Sequence, residues 1–542
     1  MQTNVGFEGS SMLSRIAGAV IARAVKYPVL FALCAISRSQ AQGPAVVPAG
    51  QPVYQLKVTK RLVVVDVVVT DKHGKLIRAI DLRKDDFRVY ENKVPQTILS
   101  FETPSAHAMT AAPGTAVVKS AADLKKIGDA PVTMLVLDEL NSRFEDSSFS
   151  RQMLVKYLQA QPAVLNEPAV LLVAENTKFV QLHDYTQSRD ELIDVVKKHM
   201  PQYPWRRMNS GRQGPGAVER IAQVLAALTQ LAQSSSGTRG RKNLIWVGNG
   251  FPSVNLVGVD QQTTDTVEAA VRRVTAKLLA SRITMYTINP TAGESSTVDI
   301  ESPDDLDTQA AADNNVYTPY GNGQVNFTDF APATGGLSFR GRNDLNNVIS
   351  EGISQGREYY TLTYSPTDKT DDPTKYRNIT IAMRDPNLRA TTRKGYFPDT
   401  ARTDVNELAD TTMADKQRGQ DLALDLSKAL TSTIAYNGLT VTAAKGKDGL
   451  YEIHVTDERL TWSAPEGNVP VHAEATVACA WYDPKGKLLG HVAREETAVR
   501  TGVNAGAMFT LPIPSLPGST THIRFVVRDA LSGRMGTVDV PK

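Results

Sequence analysis

Val132-Thr133-Met134-Leu135-Val136-Leu137-Asp138-Glu139-Leu140-Asn141-Ser142 is the stretch that decides how the middle of this chain is read. It opens as a continuous apolar run, Val132 to Leu137, and ends on a carboxylate. A parallel strand covered by helices on both faces needs such a run. Working outward, Ala169 to Ala174, Asn243 to Val247 and Ile283 to Ile288 repeat the pattern. Between these runs, apolar residues recur at helical spacing: Phe149, Met153, Tyr157 and Leu158; Val218, Ile221, Leu225 and Leu228; Val267, Val271, Val274 and Leu278. Leu345, Val348, Ile349 and Ile353 mark a last helix. Alternating strands and helices predict an α/β domain over 131–356, built on a doubly wound, mostly parallel sheet. The polar stretch 289–335 reads as a long insertion loop in that domain.

The flanks read differently. Val63, Val65, Val67 and Val69 fall on one face of a strand, with Val64, Asp66, Val68 and Thr70 on the other. Asp86 to Tyr90 and Gln96 to Phe101 are further short strands, so 54–103 is an N-terminal β segment. Residues 104–130, rich in Ala, Pro, Thr, Ser and Gly, read as a linker. After the α/β region, 357–398 is again β-like, and β segments on both flanks point to one β-sandwich carrying the α/β domain as an insertion. A polar linker at 400–420 leads to a C-terminal domain, 421–542, whose regularly spaced strands predict a β-sandwich of Ig-like type. Asp71-Lys72-His73-Gly74-Lys75-Leu76 and Asp483-Pro484-Lys485-Gly486-Lys487-Leu488 share a D-x-x-G-K-L turn, which shared hairpin chemistry explains.

The first 41 residues have the pattern of a secretory signal peptide. Arg15, Arg23 and Lys26 precede the apolar run Tyr27 to Ile36, and Ser39-Gln40-Ala41 offers small residues for cleavage. The expected destination is secreted, periplasmic or cell-envelope, with no transmembrane span in the mature chain, because no other stretch approaches 18 apolar residues. Cleavage near Ala41 leaves Cys479 as the single cysteine, which excludes an internal disulfide. The chain has 542 residues, with 60 Lys and Arg against 57 Asp and Glu, so no net positive charge argues for nucleic acid.

Beyond composition, a family resemblance enters. Val132 to Ser142 and Leu244-Ile245-Trp246-Val247-Gly248-Asn249-Gly250 resemble segments of von Willebrand factor A domains. More specifically, the chain resembles the von Willebrand A-related proteins of acidobacteria. The pieces that carry this are Asp85 to Glu91 with Gln96, Gly240 to Trp246, Ala333-Thr334-Gly335-Gly336, Tyr360 to Tyr364 and Arg393-Lys394-Gly395-Tyr396. Together they span about 54–398. The resemblance implies a von Willebrand A-type fold in an exported protein.

That family's A domains hold a divalent cation with Asp-x-Ser-x-Ser, a Thr from a second loop and an Asp from a third. Hard cations such as Mg²⁺ and Mn²⁺ want oxygen ligands in near-octahedral array. Here Asp138 and Ser142 fit the first and last positions, whereas Leu140 replaces the middle Ser and Asn249 replaces the third-loop Asp. Ser210 is the nearest candidate for the second loop. The candidate metal residues are therefore Asp138, Ser142, Asn249 and Ser210, in a degenerate site. Two readings stay open: a weak Mg²⁺ or Mn²⁺ site, or an Asp138 that caps the following segment without metal.

No phosphate-binding G-x-x-x-x-G-K-[ST] loop, H-E-x-x-H or G-x-S-x-G motif exists, and none of the eight His residues pairs at ligand spacing. The expected function is non-catalytic: binding or adhesion to a protein or cell-surface ligand. The alternative is a cell-envelope assembly subunit or chaperone-like scaffold. A hydrolase with an unrecognised site is the third reading.

Overall fold

The computed structural model describes residues 62–77, 82–109, 114–142, 144–175, 179–200, 215–251, 254–255, 261–290, 324–342, 344–368, 370, 372, 375–398, 422–446, 450–456, 459–463, 470–502 and 506–542. The expected signal peptide, the 400–420 linker, Ser210 and most of the 289–335 insertion lie outside them. In chain order the strands begin with β1 (Val63–Asp71), β2 (Phe87–Glu91), β3 (Val94–Gln96) and β4 (Ile98–Glu102). The middle region holds β5 (Val132–Asp138), β6 (Val164–Ala174), β7 (Phe179–Ser188), β8 (Lys242–Val247), β9 (Val254–Asn255), β10 (Ile283–Asn289), β11 (Gln324–Val325) and β12 (Ser338–Arg340). Its helices are α1 (Phe144–Gln159), α2 (Arg189–Lys198), α3 (Pro215–Ser234), α4 (Gln261–Ala280), α5 (Phe330–Thr334) and α6 (Leu345–Arg357). Then come β13 (Tyr360–Tyr364), β14 (Arg377–Met383), β15 (Leu388–Thr391) and β16 (Gly395–Tyr396). A helix α7 over 422–431 leads to β17 (Val441–Lys445), β18 (Leu450–Val455), β19 (His472–Tyr482), β20 (Leu488–Val499), β21 (Ala507–Pro512), β22 (His522–Asp529) and β23 (Met535–Pro541).

Alternating valines give β1 its buried face, and the strand finds its partner far along the chain. Val63 to Val67 pair antiparallel with Tyr364 to Tyr360, and Thr361 in turn pairs with Glu102 of β4. Two four-stranded sheets, β15-β1-β13-β4 and β16-β14-β2-β3, enclose one apolar core that includes Val65, Val67, Phe87, Val89, Leu362 and Ile379. Residues 63–102 and 360–396 are thus one β-sandwich, and the chain between them is an insertion whose two ends lie on adjacent strands. Inside this sandwich Glu91, 3% exposed, accepts from Arg377 Nη1 at 2.9 Å, Tyr364 Oη at 2.7 Å and Tyr396 Oη at 3.0 Å. One carboxylate therefore ties β2, β13, β14 and β16 together.

The inserted layer is a six-stranded mixed sheet, β12-β10-β8-β5-β6-β7. Its pairings are parallel except at the edge, where β7 runs antiparallel to β6. Side chains alternate across it, so the apolar run Val132 to Leu137 feeds two cores. Met134, Val136 and Trp246 meet α3 and α4 through Leu228, Leu231 and Val274. Leu135, Leu137 and Ile245 meet α1, α2 and α6 through Leu158, Leu192 and Ile349.

The expected fold class needs correcting. Taken over the described residues, the chain is mostly antiparallel β rather than α/β. Every sheet except this one is wholly antiparallel, and among the described residues parallel pairing is confined to one mixed sheet. Judging class from the longest apolar runs overweighted the buried parallel strands, because half-exposed antiparallel strands leave a fainter apolar signal. Two expected loops also carry core. In the 104–130 stretch Val118, Leu124 and Ile127 are buried, the last two on a 3₁₀ segment, Ala121–Ile127. At the end of the 289–335 insertion, Phe327 and Phe330 are buried on a 3₁₀ turn and the five-residue α5. Elements this short show no periodicity.

The C-terminal region packs the sheet β20-β19-β22-β23 between the sheet β17-β18-β21 on one face and α7 on the other. Both D-x-x-G-K-L segments form the same turn: Asp71 Oδ1 accepts from His73 N and Lys75 N, and Asp483 Oδ1 from Lys485 N and Lys487 N, all at 2.8 Å. Gly74 and Gly486 take φ 77° and 74° there. Ile434 is buried in the core of the mixed sheet, and Asn437 joins the two bodies by accepting from Gly237 N at 2.9 Å and donating to Thr238 Oγ1 at 3.0 Å.

Removing one partner of a buried ion pair strands the other charge. Arg377→Met is expected to lower the stability of the N-terminal sandwich by about 3–5 kcal/mol, read as an earlier urea transition. Glu91→Gln combined with Arg377→Met should recover part of that loss.

Candidate functional site

Asp138 ends β5 between Ala174 of β6 and the turn after β8, at the carboxyl end of the mixed sheet. Open α/β sheets commonly place ligands at that end. The residue is only 2% exposed, and both its oxygens point into the protein. Oδ1 accepts from Leu140 N and Asn141 N, each at 3.0 Å. Oδ2 accepts from Gly250 N at 2.7 Å and Trp246 Nε1 at 3.3 Å. Burial is the largest influence and pushes the carboxyl up to about 6, against the opposing pull of these hydrogen bonds.

The β8 turn, Gly248-Asn249-Gly250, closes over this carboxylate. Gly248 has φ 142°, and a Cβ on it would lie 2.2 Å from Asp138 Cβ and 2.7 Å from Ser142 Oγ. Gly250 has φ 69° and faces Phe327, which a Cβ would meet at 2.0 Å. Beneath it Trp246, Phe251, Phe327 and Phe330 form an aromatic cluster with ring centroids 5.1–6.3 Å apart. Asn141 Nδ2 donates to Gly250 O, and Asn249 Nδ2 donates to Asn141 O at 3.1 Å, so the two turns are laced together. A third element joins through the buried Glu139, whose Oε1 lies 3.1 Å from Nε2 of the half-buried His199 at the end of α2.

The structure therefore brings together Asp138, Ser142 and Asn249 and places nothing at Ser210, which lies outside the described residues. After Asp138 the chain leaves the extended conformation and turns back on the Oδ1 of Asp138, which accepts from Leu140 N and Asn141 N. Leu140 fills the middle motif position with a side chain buried in the core beneath. Sequence reasoning missed Trp246 and the two glycines as parts of the site; the Gly-x-Gly spacing after β8 was the available signal.

Among the described residues no group of three or more His, Cys, Asp or Glu side chains converges. Ser142 Oγ is buried without a hydrogen-bond partner among the described residues. Asp138 is a poor cation ligand in this geometry, because each oxygen already accepts two N–H groups and a metal would have to displace them. Among the described residues, which do not include Ser210, these donors do not suit Mg²⁺ or Mn²⁺. Elsewhere, Cys479 is buried in the C-terminal sandwich, and burial pushes its thiol up to about 12, which makes it a poor nucleophile.

Neither a family model nor a curated protein matches this chain. Among solved structures, the pilus adhesin SpaC from Lactobacillus rhamnosus GG is similar at 8% identity and a TM-score of 0.22, over 74% of this chain. The match takes in 53% of the adhesin, about half its length, and is too shallow to carry fold or function. No helix among the described residues is long and apolar enough to cross a membrane.

Two outcomes follow from the buried carboxylate. The folded state holds the Asp138 proton more tightly than the unfolded chain, whose carboxyl sits near 3.8, so stability is expected to fall as pH rises from about 4 to about 6 and then level off. Emission from Trp246, which donates to this carboxylate, should titrate with a midpoint near 6 and lose that transition in Asp138→Asn. Gly248→Ala should cost about 2 kcal/mol or more through strain and overlap with Asp138 and Ser142, measured by thermal denaturation.

Proposed function

We propose that this chain is an exported, non-catalytic interaction protein that uses the carboxyl end of its mixed sheet, without a bridging metal, to bind a protein or cell-surface ligand. Kinship with the von Willebrand A-related proteins belongs to this proposal and rests on the motif pieces along 54–398. Export rests on the N-terminal segment, with its charged start, short apolar run and Ser39-Gln40-Ala41.

The observation that carries the metal-independent reading is the saturation of Asp138 by four N–H donors. In a cation-bridged contact, a metal on the first Asp takes a carboxylate from the partner. Here the charge faces inward and organises the two turns around it. A partner would instead meet the surface of a prearranged platform, which loses little conformational freedom on binding.

The test is thermal denaturation of the full chain in EDTA, Mg²⁺ and Mn²⁺, alongside Asp138→Ala. A cation that binds the native state at a hundred times its Kd would add about 2.7 kcal/mol. The expected result is the same midpoint in all three conditions, with equal retention of cell-surface fragments on the immobilised chain in EDTA and Mg²⁺. A metal-dependent rise that disappears in Asp138→Ala would overturn the reading.

A further inference from the structure

The chain leaves the N-terminal sandwich just after β4 and returns to it through Glu358-Tyr359 into β13. His107 closes a short 3₁₀ segment, Pro104–His107, on the outgoing crossing, and its side chain is 1% exposed. The imidazole stacks on Tyr359 of the returning crossing, with ring centroids 4.5 Å apart and planes 9° from parallel. Its Nε2 lies 3.1 Å from Thr361 Oγ1 and 3.6 Å from Glu102 Oε2. Hydrogen bonding then fixes where its hydrogen sits. Against the effect of burial, Arg282 and Arg241 hold the Asp66 carboxyl below its ordinary value, so near neutrality it is ionised and can only accept. The single proton of the Thr361 hydroxyl goes to Asp66 Oδ1 at 2.9 Å. Thr361 Oγ1 must therefore accept from His107, and the neutral ring carries its hydrogen on Nε2. That leaves Nδ1 a bare lone pair, buried and without a hydrogen-bond partner among the described residues.

We propose that His107 is an acid-sensitive latch: neutral, it clips the outgoing crossing to the returning one; with a proton on Nδ1, it leaves its socket and frees the sandwich to move against the insertion. A proton on Nδ1 makes a buried charge and a buried N–H with no acceptor. Charged groups surround the ring. Asp66 of β1, Glu102 of β4 and Asp129 before β5 favour the imidazolium, and Arg282 after α4 opposes it. Arg241, 5.0 Å from the centre of the same Tyr359 ring, and Lys242, which interacts with Arg282 and Asp66, bring further positive charge to the seam. Burial raises the Tyr359 hydroxyl, which stays neutral throughout. Asp66 is already engaged by Arg282 at 2.8 Å, and Glu102 is half-exposed, where water and salt screen it. Burial outweighs the acids and holds the ring below its ordinary value of 6.5. The latched state thus excludes a proton that the released ring takes up near pH 6.5, so the latch weakens as the pH falls through that value.

The test is amide hydrogen exchange on the full chain, read by mass spectrometry from about pH 7 to about pH 5 and corrected for the intrinsic pH dependence of exchange. Amides of 104–107 and 360–364 are expected to open about tenfold more often at the acid end, one pKa unit being a factor of ten, while those of β5 and β8 keep their protection. His107→Gln keeps an N–H for Thr361 and takes no proton. It should make the opening of these two segments independent of pH over that range. Should the variant fail to fold, the wild type answers by itself, because exchange at the imidazole carbon between the two nitrogens follows the protonation of each histidine separately. Its midpoint at His107 should lie below that of the same residue in urea, with the two segments opening in acid. An equal acid response in folded His107→Gln, unchanged protection of the two segments, or a His107 midpoint at or above its value in urea would overturn the proposal.

Discussion

The pairing of β1 with β13 is the constraint on which the rest of the structure depends. Asp66 and Thr361, whose side chains hydrogen-bond at 2.9 Å, are 295 residues apart in sequence. Until that pairing forms, β1 has no partner for its buried valines and the N-terminal sandwich has no second half. Closure over so long a loop is entropically unfavourable, although the cost grows only slowly with length. The inserted layer eases it by returning its own ends to neighbouring positions, since Glu102 and Thr361 are register partners. A folded insertion thus acts as a short loop.

The seam between sandwich and insertion is polar, with the Asp66 carboxylate set among Arg282, Arg241 and Lys242. Arg282 leaves the helix α4 with φ 53° and donates to Asp66 at 2.8 Å. Burial works to raise the Asp66 pKa, but the charges of Arg282 and Arg241 and the hydrogen bonds outweigh it and hold the carboxyl below its ordinary value. Arg241 is 1% exposed, donates to Tyr286 and lies over the Tyr359 ring. Lys242 beside it gives its ammonium to the carbonyls of Thr238 and Gly240 at 2.6 and 2.9 Å, and burial pushes its pKa down to about 7. The same 234–242 segment receives Asn437 from the C-terminal region. One short stretch of chain therefore contacts all three bodies, which fixes their relative placement through hydrogen bonds that need correct geometry.

At the opposite end of the sheet, Asp138 does by hydrogen bonding what a metal would do by coordination. A cation draws loops together by sharing oxygens among them; a carboxylate with four N–H donors draws the donors' loops together instead. The glycines at 248 and 250 are what allow the β8 turn to come this close. The result is a platform whose order is internal to the chain.

Much of the local structure was legible in the sequence. The apolar run Val132 to Leu137, the inward valines of β1, the helix stripes and both D-x-x-G-K-L turns follow from periodicity and turn chemistry, which act over a few residues. Asp138, Ser142 and Asn249 came together as candidates through the resemblance to the family motif, whose first, last and third-loop positions they occupy, and not through periodicity or turn chemistry. Sequence reading misjudged the class of the whole chain, since half-exposed antiparallel strands announce themselves less strongly than buried parallel ones. It could not show that Trp246 Nε1 and Gly250 N would fill the acceptors of Asp138, because those donors lie 108 and 112 residues away. Which residues sit where along a strand or turn is decided by neighbours in sequence. Which lone pairs remain free is decided only when distant segments meet, and at Asp138 that meeting exchanges a motif that reads as a ligand for a carboxylate with its hydrogen bonds already made.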